Sequence, residues 1–227
     1  MNLTQYKYLL FDLDDTLLDF KKAERRAFKK LLLNHNIEYS DDLFEKYITI
    51  NKSLWRKLEL GELSSKDVTK GRFKRFFSLL NKEVNDEKYD KEYRIYLAEG
   101  NQVFKGVPEL LKKLAQTHKL YIATNGVAAT QRTRFKNNKL DEYFDYIFIS
   151  EELGYKKPDK EFFEKVFEII GSKNKSEVLM IGDNLVSDIL GGNNFGIDTC
   201  WINAEDIENI TNIIPTYKIR SVMELIR

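Results

Sequence analysis

Five short runs of apolar residues constrain this chain more than any other feature. Tyr8-Leu9-Leu10-Phe11 runs into Asp12-Leu13-Asp14-Asp15-Thr16, and Leu120-Tyr121-Ile122-Ala123 into Thr124-Asn125-Gly126. Tyr146-Ile147-Phe148-Ile149 runs into Ser150-Glu151, Val178-Leu179-Met180-Ile181 into Gly182-Asp183-Asn184, and Thr199-Cys200-Trp201-Ile202 into Asn203. Runs this short, almost continuously apolar and closed by polar residues, predict strands covered on both faces of a parallel sheet. The segments between them predict helices. One runs from Pro108 to about Gln116, with proline in the first turn. A second follows Gly126 and carries Arg132, Arg134 and Phe135. A third spans about Asp159 to Ile170, with Phe162, Phe163, Val166, Phe167 and Ile170 at helical spacing and Gly171 closing it. This alternation predicts an α/β fold with a doubly wound, Rossmann-like parallel sheet.

The stretch from Phe20 to Glu99 breaks the pattern. It has no comparable strand run but carries helical clusters: Ala27, Phe28, Leu31, Leu32; Leu43, Phe44, Tyr47, Ile48; and Phe73, Phe76, Phe77, Leu80. Turn-forming residues fall near 34–40, 61–65 and 81–86. The expected organisation is an α/β core from residues 1–19 and 101–227, interrupted by an all-helical insert of about four helices at 20–100, with short hinges. A chain of 227 residues suits one large domain with an attachment. Lys and Arg number 37 against 36 Asp and Glu, which excludes a nucleic-acid binder working through a bulk positive field. No apolar stretch nears the roughly 18 residues that cross a bilayer, so no membrane partner is expected. The first residues lack the basic and apolar regions of a signal peptide, and Cys200 is the single cysteine, so a reducing, cytoplasmic setting is expected.

In an open parallel sheet, ligands bind beyond the carboxyl ends of the strands. The sequence puts Asp12, Asp14 and Asp15, Thr124 and Asn125, and Asp183 with Asp188 there. Lys157 joins them from a loop that precedes a helix. Clustered carboxylates repel unless a cation neutralises them, and a hard divalent ion, most simply Mg²⁺, suits oxygen ligands. A lysine beside a hydroxyl and backbone N–H groups suits an anion. Metal and anion donors around a free carboxylate make a phosphoryl-transfer site.

These residues resemble the motifs of the haloacid dehalogenase superfamily. An apolar strand followed by D-x-D-x-T matches Asp12-Leu13-Asp14-Asp15-Thr16. A strand ending in Thr or Ser matches Thr124, and Lys-Pro before a helix matches Lys157-Pro158. G-D-x-x-x-x-D matches Gly182-Asp183 through Asp188. All four occur in order, and the insert corresponds to the family's cap domain. The resemblance implies Asp12 as the nucleophile that forms an aspartyl-phosphate, and Asp14 as general acid and then base. It implies Mg²⁺ held by Asp12, the Asp14 carbonyl and Asp183. It also implies phosphoryl oxygens held by Thr124, Asn125 N–H and Lys157, with Asp188 supporting the metal or Lys157 from behind. Asp15 departs from the glycine common there. It either points to solvent, caps the next turn or joins the metal site, with the first two favoured. Dehalogenases lack an acid at the Asp14 position, so Asp14 points to a phosphatase or phosphomutase.

Thr124-Asn125-Gly126, the segment Glu151 to Pro158, Ser187 to Gly192 and Thr199 to Asn203 resemble the bacterial pyrimidine 5′-nucleotidase branch. Asn51 to Trp55, Gly61 and Gly71-Arg72-Phe73 in the insert agree. The implied substrate is a small phosphate ester, a pyrimidine nucleoside monophosphate such as UMP, dUMP or dTMP. A sugar-phosphate phosphatase or phosphomutase of the same superfamily is the alternative. A phospho-aspartate receiver domain is a distant one, disfavoured by the insert and the first-strand D-x-D. In the insert, Trp55 either stacks on a base or packs the interior. Arg72 or Lys52 meets a polar edge, or Arg72 forms a surface ion pair. Phe20 contacts substrate or seats the hinge. His35 and His118 are expected at the surface, Cys200 in the core, and Lys21, Lys22, Arg25, Arg26, Lys29 and Lys30 on a solvated helix face.

Overall fold

The computed structural model describes residues 1–226. They divide into two compact units, one of residues 1–20 and 101–226 and one of residues 21–100. In the first unit, β1 (Tyr8–Phe11), β2 (Lys119–Thr124), β3 (Tyr146–Ile149), β4 (Val178–Gly182), β5 (Asp198–Ile202) and β6 (Tyr217–Ile219) form one sheet in the order β3-β2-β1-β4-β5-β6. Every pairing is parallel. The chain winds outward from β1 through β2 to β3, then returns to place β4 on the other side of β1. The direction of winding therefore reverses between β1 and β4, where a crevice opens at the carboxyl ends.

The apolar runs are nearly continuous because the sheet is buried on both faces. Leu9, Phe11, Leu120, Ile122, Leu179 and Ile181 point to one side, toward Val107, Leu110, Leu111 and Leu114. Those four recur at i, i+3, i+4 and i+7 and make the apolar stripe of a helix (Val107–Leu114). Tyr8, Leu10, Tyr121, Phe148 and Met180 point to the other side, toward Phe162, Phe163, Val166 and Phe167 of the Lys160–Ile170 helix. Cys200 is fully buried in the first layer. A helix at Ala128–Asn137 and a π-helical turn at Leu185–Leu190 carry further polar groups to the crevice. Strand β6 was not expected: Tyr217-Lys218-Ile219 is short and broken by a charge, which an edge strand tolerates.

The second unit has five helices, α1 (Phe20–Asn34, whose first residue belongs to the other unit), α2 (Asp41–Glu59), α3 (Ser65–Thr69), α4 (Arg72–Ser78) and α5 (Asp86–Leu97). The expectation of about four missed α3. It begins in the stretch read as punctuation, where Ser64 and Asp67 form a reciprocal capping box. An aromatic cluster fills the unit: Phe28 stacks on Tyr47 at 4.5 Å between ring centres, and Tyr47 on Phe73 at 5.5 Å. Ser40 caps α2 by accepting from Leu43 N at 3.2 Å. No helix among the described residues is long and apolar enough to cross a membrane.

Two surface expectations need correction. His35 is half-buried, stacked on Tyr89 at 4.2 Å and bonded to Glu92 at 2.8 Å. His118 is also half-buried, with Nδ1 at 2.7 Å from Tyr6 O. Both partners are distant in sequence, so the local polar context concealed them. Along α1, Lys21, Lys22, Arg25, Arg26 and Lys29 are exposed, while Ala23, Ala27, Phe28, Leu31 and Leu32 face inward.

Candidate active site

Strand register gathers the acids. Phe11 is level with Ile122 on one side and Ile181 on the other, and the Asp12 N–H donates to Ile181 O at 2.8 Å. One residue further along β1, Asp12 therefore lies beside the ends of β2 and β4, at the reversal point. Carboxylate oxygens of Asp12, Asp183 and Asp188 lie within 4.8 Å of one another. Asp183 is steered from behind, where the Trp201 indole donates to its carbonyl at 2.9 Å. Asp188 is fully buried on the π-helical turn, whose start Asn184 caps by accepting from Val186 N and Ser187 N. Gly182 makes this approach possible, since a Cβ there would stand 2.1 Å from Asp188 Oδ2.

Lys157 enters this cluster from the loop before the Lys160–Ile170 helix, and its peptide bond to Pro158 is cis. Its side chain is 1% exposed, and its ammonium spends all three hydrogens: on Asp12 Oδ1 at 2.7 Å, Asp188 Oδ1 at 2.6 Å and Ala123 O at 2.6 Å. The Asn125 side chain fixes the loop. Its amide donates to Lys157 O at 2.7 Å and its carbonyl accepts from Lys157 N at 2.9 Å. Thr124 Oγ1 accepts from Gln131 Nε2 at 2.9 Å and from Gly126 N at 3.1 Å, which leaves the hydroxyl hydrogen for another acceptor.

Three acids share one ammonium, and the electrostatics follow. Burial pushes the Asp12 carboxyl up to about 8, with the Lys157 charge pulling it down and those of Asp188 and Asp14 pushing it up. Burial, then the charges of Asp12 and Asp188, hold Asp183 well above the ordinary carboxylate range. Burial alone would lower Lys157, yet the two carboxylates beside it raise it, so it stays charged. A cluster that retains a proton for want of positive charge, built from oxygen donors alone, fits a hard divalent cation.

Asp14 stands apart from this triad. Its carboxylate turns to the Ala128–Asn137 helix, where Oδ1 pairs with Arg134 and Oδ2 accepts from Gln131 Nε2 at 2.8 Å. In the sequence Arg134 stands out only as a helix residue, and Gln131 does not stand out at all. The signal was a polar pair one turn apart just after the Thr124 strand. Asp15 takes φ +53° in the tight loop of residues 13–18, and its Oδ1 accepts from Phe20 N at 3.0 Å. It caps the following turn, the second of the roles open to it. Phe20 lies under the Arg134 guanidinium, 5.4 Å from ring centre to Cζ.

The two candidates in the insert are otherwise engaged. Arg72 is 3% exposed, not a surface residue, and its Nε donates to Asp90 Oδ1 at 2.9 Å inside the helical unit. The helical pattern could not reveal that this charge faces inward. Trp55 is half-buried against Leu54, Leu58 and Val68. Lys52 is exposed.

Residues 6–196 match the model of the haloacid dehalogenase-like hydrolases. The chain is 42% identical over 222 residues to pyrimidine 5′-nucleotidase PynA of Streptococcus pneumoniae, covering 97% of this chain and 94% of that protein. It is 34% identical over 221 residues to pyrimidine 5′-nucleotidase YjjG of Escherichia coli, covering 97% and 96%. Among solved structures, the magnesium-bound HAD-hydrolase YfnB of Bacillus subtilis superposes with a TM-score of 0.92 at 42% identity, over 97% of both chains.

Proposed function

The chain belongs to the haloacid dehalogenase-like hydrolases, and from that premise we propose that it is a Mg²⁺-dependent phosphomonoester hydrolase whose substrates are pyrimidine nucleoside monophosphates. The observation that carries the chemistry is the pairing of Asp12 with Lys157 beside Asp183, while a second acid, Asp14, is kept out of that cluster. A nucleophile needs its carboxylate aimed and its proton drawn off; the Lys157 ammonium holds Asp12 Oδ1 at 2.7 Å and pulls that carboxyl down against the effect of burial. An acid–base needs to be distinct from the nucleophile, and Asp14 is held by other partners. The substrate class rests on the relatives named for pyrimidine nucleotides.

In this reading Asp12 Oδ attacks phosphorus and the ester oxygen leaves with a proton from Asp14. Asp14 then takes a proton from the water that cleaves the aspartyl-phosphate. Thr124 donates its hydroxyl hydrogen to a transferring oxygen, with the Asn125 N–H beside it. Lys157 offsets charge on the phosphoryl group and on Asp12. Asp12, Asp183 and the Asp14 carbonyl would hold Mg²⁺, with Asp188 keeping Lys157 in place. When bound, the ion screens the acids from the phosphate dianion. We also assign residues 20–100 as a cap that selects the leaving group.

Phosphate release is to be measured across pyrimidine and purine nucleotides and hexose phosphates, with Mg²⁺ and with a chelator. The expected result is Mg²⁺-dependent turnover that is fastest on UMP, dUMP or dTMP. Equal rates on all esters would remove the nucleotidase reading and leave the phosphatase one. Asp12→Asn is expected to abolish turnover in a folded protein; retained turnover refutes the nucleophile. Trp55→Ala and Lys52→Ala test the cap through the ratio of rates among nucleotides, and unchanged ratios exclude those two side chains from selection.

A further inference from the structure

We propose that Arg134, supported by Gln131 and Gln102, is the positioning residue that fixes the carboxylate of the acid–base Asp14; this rests on the phosphatase reading above. Asp14 is bonded at both oxygens, by Arg134 Nη1 at Oδ1 and by Gln131 Nε2 at Oδ2, 2.8 Å. The same Nη1 donates to Gln131 Oε1 at 2.8 Å, so the two donors brace each other. Arg134 Nε donates to Gln102 Oε1 at 2.9 Å. Gln102 is in turn tied down, its N–H donating to Asn138 Oδ1 at 2.7 Å and its carbonyl accepting from Asp19 N at 2.8 Å. The guanidinium is thus clamped on its far side, lies over Phe20, and has no freedom to swing with the acid it holds.

Burial separates this pairing from an ordinary stabilising one. The Arg134 side chain is 1% exposed and that of Asp14 is 29% exposed. Burying an arginine is costly, and an ion pair with one member still in contact with solvent recovers little of that cost. The arrangement makes sense where the exposed member must be held at a fixed angle within reach of a small molecule. A rigid guanidinium plane, fixed at Nε by Gln102 and at Nη1 by Gln131, does this with its single bond to Asp14, and a flexible ammonium does not. Gln131 extends the brace to Thr124 Oγ1 at 2.9 Å, so one helix sets both the acid–base and the hydroxyl assigned to the phosphoryl group. Gly126 allows it, because a Cβ there would stand 2.3 Å from Gln131 Nε2.

The test exploits leaving-group demand. A nucleoside alkoxide needs a proton to depart, while p-nitrophenolate does not. The ratio kcat/KM reports steps up to departure and is blind to later hydrolysis of the aspartyl-phosphate. In Arg134→Met, kcat/KM for UMP should fall about 100-fold, the low end for loss of general acid catalysis, and that for p-nitrophenyl phosphate less than about tenfold. Arg134→Lys should lie between Arg134→Met and wild type on UMP. An equal fall on both esters, as a merely structural arginine would give, overturns the proposal, as does an unchanged rate on UMP. If Arg134→Met does not fold, Arg134→Lys decides: its ratio of UMP to p-nitrophenyl phosphate activity must drop at least about fivefold, and an unchanged ratio overturns the proposal. Wild-type protein that hydrolyses neither ester with Mg²⁺ refutes the phosphatase reading and this inference with it; active wild type with an unshifted ratio refutes this inference alone.

Discussion

Replacing Lys157 by methionine should destabilise the metal-free protein more at alkaline pH than in mild acid, and Mg²⁺ should restore part of the loss. The side chain is 1% exposed and its three hydrogens go to Asp12, Asp188 and Ala123 O. Methionine keeps the volume of the stem but strands two carboxylates of low exposure beside Asp183. Breaking a buried pair by removing one partner costs about 3–5 kcal/mol. At about 2–4 °C per kcal/mol for a domain of this size, the midpoint of thermal unfolding should drop by roughly 6–20 °C in a chelator at pH 8. The pH dependence has a definite sign. Asp12 is already raised to about 8 by burial with the lysine present, and losing that charge raises it further. A carboxyl whose folded value exceeds its unfolded one binds protons more tightly in the native state, so stability falls as pH rises between the two values. Wild type already holds this proton below about 8, so the variant's further rise adds to its deficit above that value, and the deficit should be wider at about pH 9 than at about pH 6. Mg²⁺ at 100 times its dissociation constant should return ~2.7 kcal/mol, since it binds only the folded cluster. Thermal unfolding monitored at these pH values, with and without Mg²⁺, measures all of this. A variant as stable as wild type at pH 8 in chelator, or a deficit that grows toward about pH 6, would refute the counter-charge argument.

Three further outcomes follow from the same structure. Gly182→Ala would put a Cβ 2.1 Å from Asp188 Oδ2, so the carboxylate must swing off Lys157; hydrolysis should fall at least about tenfold in a protein that still folds, and undiminished turnover would show that Asp188 need not hold the lysine. In wild type without metal, burial raises Asp12 to about 8 and Asp183 in the same direction, so the unfolding midpoint should fall as pH is raised from about 5 to about 8, with Mg²⁺ flattening the slope; a flat metal-free profile would mean that the cluster holds no extra proton. Within the helical unit, Arg72→Ala should cost about 3–5 kcal/mol by stranding buried Asp90, and the pair Arg72→Met with Asp90→Leu should cost less, because Arg94 is exposed enough to reach water; thermal unfolding of the two variants gives the comparison.

What the sequence revealed and what it hid divide along the range of the interactions. A strand covered on both faces must be apolar throughout, so its polar terminus stands out. Three of the five termini carry groups of the crevice, Asp12, Thr124 and Asp183, and within a fourth run the Trp201 indole supports Asp183. The short edge strand Tyr217–Ile219 is open to solvent along one side, need not be apolar, and so left no mark. Pairings across long separations left none either. Arg134 finds Asp14 at a separation of 120 residues, His35 finds Glu92 at 57, and Arg72 finds Asp90 at 18. A charge's own neighbours in sequence do not reveal whether it faces solvent or a counter-charge.

Asp15 shows how a local ambiguity is resolved by backbone geometry. Beside two acids of the site, its side chain was open to the metal or to the chain. Its φ of +53° lies in the left-handed region, which costs a non-glycine residue roughly 1–2 kcal/mol and which aspartate tolerates by bonding locally. The bond from Phe20 N to its Oδ1 at 3.0 Å is of that kind. A carboxylate spent on the N-terminus of α1 offsets its own backbone strain and fixes the chain where it leaves the α/β unit. The residue that departs from glycine at this position thus substitutes a capping bond for conformational freedom, and the loop carrying Asp12 and Asp14 gains an anchor that glycine could not supply.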